Sequence, residues 1–463
     1  MNLLIDKKEK VSIFFEYGFF QDKNNQWFSS KSKIKISTKN YGLIQFQGNF
    51  IDKCYLDVTY NNDSFRITSN NFYIFIDPEK NNQISFKFSK NLSLRIDPRK
   101  LSYQVKNIKF TKLDKIYSTI LAKKNVHNNS INKLISDIHP GWFKLNVKNH
   151  NDEKLFLNGF ILKPLENQND FDLYLDDNKI KTVRYNLSNK DYPYFGDIFF
   201  EGWINYPRKK ISIITLRNKG KKPDNQNFIW YWKKDRSKNI APLPNQMRIG
   251  SDSVDWFLLS GNTFITKLLN LYKNYNNISN SIVLDWGCGC SRLTRHLRDY
   301  NFKEIHGADI DKKNIAWSKN NFKDIKYQLI NPSKNKTTYK KNKFDLIVGH
   351  SVFTHLNEKD QFLWLIELHR ILKTNGIAAV TILGKISRIM EPLKKAEENF
   401  LIKNGFYDQG WQNDNVDKEK KGYYRRVYHT YEYILRYWSS FFKIESIIDG
   451  FSDHQTMVLM RKK

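Results

Sequence analysis

Cysteine is scarce in this sequence, which has three among 463 residues. Cys288 and Cys290 are separated by a single residue, and no second cysteine pair or histidine cluster lies near them. Such a pair makes a poor metal site, and alternate residues in a turn make a poor disulfide. We therefore expect neither a bound metal ion nor a disulfide, which suits a protein of the reducing cytoplasm.

Long apolar runs are also missing. No segment approaches the roughly 18 consecutive apolar residues of a membrane-spanning helix. The first ten residues lack both the apolar stretch and the small-residue cleavage site of a secretory signal. We expect neither a membrane span nor a signal peptide.

Acidic residues are outnumbered, with 47 Asp and Glu against 77 Lys and Arg and a formal net charge of +30. A basic surface can bind the phosphate backbone of a nucleic acid. Lysine is scattered over the whole length, however, and forms no focused patch. Because unpatterned charge says little about partners, a solvated basic surface is favoured and a nucleic-acid partner stays open.

Hydrophobic residues, at 40%, and aromatic residues, at 15%, are plentiful. This composition supports packed cores, and the length exceeds that of one ordinary domain. The patterns described below divide the chain into three predicted domains: 1–112, 113–245 and 246–463.

The first predicted domain has a period of two. Alternating runs at 33–36, 55–60, 72–76 and 84–88 are separated by Asn-Asn, Asn-Asp and Asp-Pro turn signals. We predict an antiparallel, sandwich-like β domain. Its closing segment at 92–98, Leu-Ser-Leu-Arg-Ile-Asp-Pro, resembles the β domain that accompanies many bacterial enzymes acting on cell-surface sugars.

The second predicted domain opens with a helical connector over 113–138 that ends at Pro140-Gly141. Strand patterns then resume and predict a second sandwich-like β domain at 155–160, 171–175, 181–185, 199–203 and 211–216. Residues 159–203 resemble modules attached to glycan-processing enzymes. The dense aromatics could stack on sugars or bases, although core packing is favoured for most. Residues 230–244 are interpreted as the linker to the third domain.

The most informative stretch is 281–297. The apolar strand residues Ile282 to Leu284 lead into Asp285, and Gly287 and Gly289 follow at alternate positions before a helical pattern begins near Arg292. Glycines at such a turn let a ligand approach the main chain. A carboxylate just before the turn would repel a pyrophosphate and attract a cation, so the pattern predicts a positively charged ligand.

A second carboxylate stands about 20 residues further on, where a dinucleotide-type site holds a ribose. Glu304-Ile305-His306-Gly307-Ala308-Asp309 supplies it as a short strand ending at Asp309. Carboxylates at two successive strand ends suit a nucleoside that carries positive charge.

These residues resemble the class I S-adenosylmethionine-dependent methyltransferases, in the small-molecule branch that has the motifs V-L-D-x-G-C-G-x-G-R, G-x-D-I and F-D-L-I-x-x-x-S-V-F-T-H-L. The third motif stands at 344–356. The resemblance implies an α/β Rossmann-like domain of seven strands over 246–463, with S-adenosylmethionine as cofactor. It implies this cofactor-binding set: Asp285, Gly287, Cys288, Gly289, Asp309, Ile310, Gly349, His350 and Ser351. One departure is Ser291, where the family usually has a third glycine.

Methyl transfer to an alcohol requires alignment and removal of a proton. His350 and His355 follow the strand ending at Val348 and are the predicted catalytic residues, with His429 and His454 in reserve. A packing role for the Thr-His-Leu piece stays open. The polar, aromatic segment 404–431 takes the position of the family's substrate-facing insertion, and a solvated loop is the alternative for most of its residues.

The sequence thus predicts a methyltransferase acting on a sugar or other small hydroxyl-bearing metabolite, with surface-glycan biosynthesis as the candidate setting. A glycan-binding protein with an inactive methyltransferase-like domain is one alternative. An RNA methyltransferase is another, although the Asn- or Asp-Pro-Pro-aromatic element of nucleic-acid amino methyltransferases is replaced here by Gly349-His350-Ser351-Val352-Phe353. The acceptor, the methylated atom and the oligomeric state stay open.

Overall fold

The computed structural model places most of the chain. It describes these residues: 2–6, 11–21, 26–38, 42–51, 55–60, 63–67, 71–76, 82–90, 92–94, 97–112, 135–136, 143–151, 154–161, 171–180, 199–205, 211–218, 229–233, 239–251, 253–331, 334–411 and 424–462. The predicted strand at 181–185 lies outside the described residues, as do 113–134 of the predicted connector and 412–423 of the predicted insertion.

The N-terminal region is β-rich, as expected, and its strands form one ten-stranded sheet. The strands are β1 Asn2–Asp6, β2 Val11–Gln21, β3 Gln26–Ser37, β4 Gly42–Phe50, β5 Leu56–Tyr60, β6 Asp63–Ile67, β7 Asn71–Ile76, β8 Gln83–Phe88, β9 Leu92–Leu94 and β10 Asp97–Lys112. Buried and exposed residues alternate along β8, which turns the apolar residues to one face. That face buries a core in which Phe28 contacts Phe86 and Phe46. The sandwich arrangement stays a prediction.

The second β region contains two small antiparallel sheets. The strands are β12 Phe143–Asn151, β13 Lys154–Ile161, β14 Phe171–Leu175, β15 Asn178–Lys179, β16 Phe199–Asn205, β17 Ile211–Asn218 and β18 Ile229–Lys233. One sheet has the order β12-β13-β16 and the other the order β15-β14-β17-β18. Buried residues of both sheets belong to one apolar cluster, which includes Leu145 and Trp230.

Two parts of the predicted connections are strands instead. Residues 230–233, predicted as the start of a linker, belong to β18, because Trp230 and Trp232 alternate inward and are buried. Ile135–Ser136 of the predicted helical connector form β11, which pairs in parallel with Ile447 and Ile448 of the C-terminal strand β26 (Lys443–Ser452). The spacing of apolar residues predicted a helix at this point. The segment pairs with the sheet instead, because an open sheet edge offers unpaired backbone groups.

The C-terminal half alternates strands with helices. Its strands are β19 Ile282–Trp286, β20 Glu304–Asp309, β21 Lys326–Leu329, β22 Phe344–Gly349, β23 Leu372–Ile382, β24 Phe406–Trp411, β25 Arg425–His429, β26 Lys443–Ser452 and β27 Gln455–Arg461. Its α-helices are α1 Leu243–Met247, α2 Val254–Tyr272, α3 Thr294–Leu297, α4 Lys312–Asn321, α5 Glu358–Ile371, α6 Lys385–Met390, α7 Lys395–Asn404 and α8 Tyr431–Tyr437. Short 3-10 helices lie at Ile278–Asn280, Phe353–His355 and Trp438–Ser440.

These elements build a Rossmann-like α/β fold around an eight-stranded sheet of order β11-β26-β27-β23-β22-β19-β20-β21. The strands β19 to β23 are parallel, and β27 runs antiparallel to β23. Strands buried on both faces require continuous apolar runs, which explains Val283 and Leu284. Ser253, Asp311 and Asn357 cap the helices that follow them. The carboxyl ends of β19, β20 and β22 meet at one edge.

Helix α2 joins the second β region to this sheet. It is buried over most of its length, with Leu259 in the apolar cluster of the β region and Phe264 in the core of the Rossmann-like domain. The Asn262 side-chain amide donates a 2.8 Å hydrogen bond to the Tyr231 carbonyl. Among the described residues, no helix has both the length and the apolar character needed to cross a membrane.

Candidate active site

The turn after β19 takes three left-handed backbone positions. Gly287 has φ +79°, Gly289 has φ +52° and Ser291 has φ +66°. A Cβ on Gly287 would lie 2.3 Å from Val352 Cγ2, and one on Gly289 would lie 2.5 Å from Ile249 Cγ2. Both glycines are therefore required by backbone conformation and by space.

Ser291 replaces the family's third glycine and has hydrogen bonds of its own. Its hydroxyl lies 2.6 Å from the Tyr327 hydroxyl and donates to Ser318 Oγ at 2.9 Å. These contacts explain how a serine is held in the left-handed region. The free thiols of Cys288 and Cys290 are buried beside it, and burial raises the pKa of Cys290 to about 12.

Asp285 is the penultimate residue of β19, and its carboxyl group is buried, with the residue 1% exposed. Its Oδ2 accepts a 2.5 Å hydrogen bond from Thr294, while its Oδ1 has no partner in the described part of the chain. Burial raises the pKa of Asp285 to about 7, although the Thr294 hydrogen bond opposes the shift. A buried carboxylate oxygen without a partner fits a cationic ligand such as the α-ammonium group of a methionine moiety.

Asp309 is the last residue of β20, and backbone hydrogen bonds fix the orientation of its carboxylate. Its Oδ2 accepts a 2.7 Å hydrogen bond from the Gly289 amide, and its Oδ1 accepts one of 2.8 Å from the Asp311 amide. Burial raises the pKa of Asp309 to about 6, and these backbone donors limit the rise. The carboxylate is thereby fixed beside the turn, which fits the predicted ribose role.

The opposite side of the turn follows β22. A Cβ on Gly349 would lie 2.8 Å from Trp286 Cε3, so a side chain has no room there. The Ser351 amide donates to Thr381 Oγ1 at 2.7 Å, and its hydroxyl accepts from Gln455 Nε2 at 3.0 Å. These bonds hold the chain after β22 against β23, which carries Thr381, and against the β26–β27 hairpin, which carries Gln455.

His350 has a hydrogen-bond partner at each ring nitrogen. Its Nδ1 accepts from Arg292 Nη2 at 2.7 Å, and its Nε2 lies 2.7 Å from Ser452 Oγ. An arginine can only donate, so Nδ1 is the acceptor and Nε2 carries the proton. Burial, reinforced by Arg292, holds the pKa of His350 well below its usual range. The imidazole is neutral near pH 7.

A cavity of about 890 Å³ contacts most of these residues. Of the predicted set, Asp285, Gly287, Cys288, Asp309, Ile310, His350, Ser351 and His355 line it. Gly289 and Gly349 are not among the described lining residues. Each contacts a residue that does line the cavity: the Gly289 amide donates a hydrogen bond to Asp309, and Gly349 packs against Trp286. Of the two reserve histidines, His454 lines the cavity.

His355 and His454 share one arrangement. His355 Nδ1 donates to the Arg425 carbonyl at 2.7 Å, and His355 Nε2 lies 3.5 Å from Ser351 Oγ. His454 Nδ1 lies 3.0 Å from Asp453 Oδ2, and within the described chain its Nε2 has no partner. Each ring is oriented through Nδ1, which leaves Nε2 as the proton-accepting nitrogen.

His429 lies elsewhere. It is fully buried, with Nε2 2.8 Å from Gln361 Oε1 and its ring packed against Phe406 and Trp438. Burial lowers the pKa of His429 to about 3. Its environment is that of a core residue.

No residue of the second β region was among the site residues predicted from the sequence. Lys144, Asn146 and Asn158 of β12 and β13 line the same cavity. Lys144 Nζ lies 3.6 Å from Asp453 Oδ2, at the turn of the β26–β27 hairpin. Burial alone would raise the pKa of Asp453, but Lys144 and His454 outweigh it and lower the pKa to about 2. The alternation of buried Phe143 and Leu145 with Lys144 was the available signal.

The chain is similar to known proteins over its C-terminal half. Residues 284–380 match the family described as "Methyltransferase domain". Among solved structures, the chain is similar to the PH0226 protein from Pyrococcus horikoshii OT3, with 18% identity, 43% of this chain and 88% of that chain covered, and a TM-score of 0.32. It is also similar to a SAM-dependent methyltransferase from Aquifex aeolicus, with 16% identity, coverage of 48% and 98%, and a TM-score of 0.32.

PKMT2 from Rickettsia typhi, solved in complex with AdoHcy, has 26% identity over 23% of this chain and 22% of that chain, with a TM-score of 0.21. The assignment rests on the family match, which runs from β19 to β23 and so contains the glycine turn, Asp309 and Ser351. The C-terminal half of the chain is therefore a class I S-adenosylmethionine-dependent methyltransferase domain, with S-adenosylmethionine as its cofactor.

Proposed function

We propose that the protein methylates a hydroxyl group of a sugar or comparable small metabolite. The observation that carries this proposal is the cavity, which has a volume of about 890 Å³. That volume lies in the upper part of the ~300–1,000 Å³ range of small-molecule sites. It suits a cofactor together with a second small molecule. The polar residues of β12 and β13 that line the cavity support a hydroxyl-bearing acceptor.

For the cofactor we propose the set predicted from the sequence. Asp285 Oδ1 would bind the ammonium group of the methionine part and Asp309 the ribose hydroxyls. Gly287 and Gly289 keep the turn clear of side chains, and Ile310 borders the nucleoside. Bound S-adenosylmethionine supplies a methyl group on a sulfonium, so the protein must align a nucleophile and accept its proton.

For the proton we propose His355, as the sequence predicted, and His454 as a second candidate. A specific observation supports His454, since Asp453 lies at its Nδ1 and would stabilise the imidazolium that forms. His350 is proposed as a positioning residue, because its Nδ1 lone pair is engaged by Arg292. It links Arg292 on the cofactor side to Ser452 on the hairpin.

The two alternative functions make different demands. An inactive, glycan-binding protein would have no need of the two carboxylates, yet Asp285 and Asp309 both adjoin the cavity. An RNA methyltransferase would use the net charge of +30, and its binding would weaken steeply with salt. We extend the proposal to a role in surface-glycan assembly, because of the resemblances of the β regions described above. We also propose the domain division 1–112, 113–245 and 246–463, because of the sequence patterns described above.

The first test is calorimetric titration with S-adenosylmethionine, S-adenosylhomocysteine and, as a control, a nicotinamide dinucleotide. Binding of the first two alone is expected. Methyl transfer from radiolabelled S-adenosylmethionine to a panel of monosaccharides and disaccharides follows, with a structured RNA as competitor substrate. Label in RNA and none in any saccharide would contradict the proposal.

A further inference from the structure

We propose that the sheet β12-β13-β16 is the acceptor-binding wall of the cavity and that its ligand is a saccharide longer than one ring. The inference rests on the proposed function and adds where the acceptor lies. It assigns substrate recognition to the second β region, outside the methyltransferase domain that holds the cofactor.

The register of the sheet directs one polar face toward the cavity. Asn146 on β12 pairs directly with Asn158 on β13, so their side chains share a face. Lys144 lies two residues before Asn146 and therefore on that face as well. All three line the cavity. The intervening Leu145 and Leu157 are buried in the core of the β region.

The same face continues past the cavity with aromatic residues. Phe156 lies two residues from Asn158, about 7 Å along the strand, and pairs with Trp203 on β16. The two ring centroids are 5.0 Å apart, and Trp203 is 45% exposed. Aromatic rings pack against the C–H faces of sugars, while neighbouring amides bond their hydroxyls. The spacing provides a place for a second ring beside the one in the cavity.

Charge favours a neutral ligand over a nucleic acid. The Lys144 ammonium lies 3.6 Å from Asp453 and 5.9 Å from the centre of the Trp256 ring, so its charge is largely compensated. Arg292 donates a hydrogen bond to His350 and lies close enough to Asp285 and Asp453 for both carboxylates to act on its charge. A phosphate backbone requires uncompensated cations. Amides and aromatic rings recognise hydroxyl groups without them.

The test first applies the full-length protein, saturated with S-adenosylhomocysteine, to a microarray of defined mono- and oligosaccharides. Calorimetry then measures the affinity for the disaccharide that binds most tightly and for its terminal monosaccharide. Asn158→Ala is expected to weaken both ligands roughly tenfold, since a donor and an acceptor are lost. Trp203→Ala is expected to weaken the disaccharide roughly tenfold and the monosaccharide less than twofold. Trp203→Phe should restore part of the disaccharide affinity.

Ile213→Ala is the matched control, because Ile213 is 37% exposed on β17 of the other sheet. It should change neither ligand. The proposed acceptor-binding wall would be overturned if the wild type bound a saccharide and Asn158→Ala and Trp203→Ala bound it equally well. It would also be overturned if no saccharide on the array bound. Failure to bind S-adenosylhomocysteine at all would instead remove the proposed function, so the two failures are distinguishable.

Discussion

The Gly289 amide donates a 2.7 Å hydrogen bond to Asp309 Oδ2, which joins the glycine turn directly to the second strand-end carboxylate. The two residues are 20 positions apart in the chain and meet because β19 and β20 are parallel neighbours. The bond aligns Asp309 from the main chain, so its position does not depend on another side chain. The methionine and ribose parts of the proposed cofactor site are thereby held as one unit.

Replacing Asp309 tests this unit. Asp309→Ala is expected to weaken S-adenosylmethionine binding about 10- to 100-fold, since hydrogen bonds to a charged group contribute about 1.5–3 kcal/mol. Asp309→Asn keeps an acceptor oxygen for Gly289 and should lose less affinity. Calorimetry measures both variants, with Asp324→Ala as the control because Asp324 lies in an exposed pair with Arg298. Undiminished binding by Asp309→Ala would rule out the ribose role.

The turn glycines can be tested by a matched pair. Gly289 and Gly250 both have positive φ, but a Cβ on Gly250 meets no described atom within 4 Å. Gly250→Ala should therefore cost only the backbone strain, about 1–2 kcal/mol. Gly289→Ala adds the collision with Ile249, about 1–3 kcal/mol more, and should also lose cofactor affinity. Denaturant unfolding and calorimetry measure the two effects.

Ile249→Ala removes the Cγ2 atom that the new methyl group would strike. Combining it with Gly289→Ala should recover part of the cofactor affinity. A Gly289→Ala variant as stable as Gly250→Ala would show that the turn has more room than the contact distances allow.

Cofactor binding is expected to release protons near neutral pH. The folded pKa of Asp285 is raised to about 7 from 3.8, so its stabilising contribution is full below about pH 4 and is lost as pH rises through about 7. A bound ammonium group favours the carboxylate, so binding at pH 7 should expel about half a proton from Asp285. Calorimetry in two buffers of different ionisation enthalpy measures this number.

Asp285→Asn should abolish most of that release at pH 7, because the pKa of Asp309 is lower, at about 6. Affinity of the wild type should fall between pH 8 and pH 5.5 as both carboxylates take up protons. Equal proton release by Asp285→Asn and the wild type would contradict the ammonium contact.

The two candidate bases are separable by rate. Loss of a general base typically costs 100- to 10,000-fold in turnover. His355→Asn and His454→Asn should differ, with one losing at least 100-fold at saturating saccharide while both bind S-adenosylhomocysteine normally. Asp453→Asn should follow His454→Asn if His454 is the base. Losses below threefold in both histidine variants would exclude a histidine base from this pair.

Lys267 provides a prediction about stability. It is buried on α2, with the Trp230 and Phe451 rings each centred 5.9 Å from its ammonium nitrogen. Burial lowers the pKa of Lys267 from 10.5 to about 7. The folded state therefore disfavours the charged form, and this group makes the protein more stable as pH rises from about 7 toward 10.5.

Lys267→Met should raise the free energy of unfolding by about 1–4 kcal/mol near pH 6.5, as expected when a buried charge is replaced by an apolar residue of similar size. The gain should shrink at pH 9. Lys319→Met, at an exposed position of α4, is the control and should change little. A destabilised Lys267→Met at pH 6.5 would mean that the ammonium group contributes a favourable interaction.

Local pattern was sufficient for much of the methyltransferase domain. Parallel strands covered on both faces need apolar runs, so 282–284 and 344–348 were recognisable as strands from residue type alone. Asp285 and Asp309 were predicted as cofactor contacts because each lies at the carboxyl end of such a strand, and Ser253 and Asp311 could be recognised as helix caps. Where a weak pattern met a sheet edge or another module, as at Ile135–Ser136 and 229–233, tertiary pairing decided the conformation.

The sequence by itself determined the glycine turn after β19, the succession of strands along the chain and the residue types suited to S-adenosylmethionine, since these follow from short-range spacing. Only the tertiary structure decided that Arg292 engages His350 and that Lys144, Asn146 and Asn158 line the same cavity as Asp453 and His454. These residues come from segments far apart in the chain. Hydrophobic packing around α2 brings them together, and no local pattern records which distant surfaces will meet.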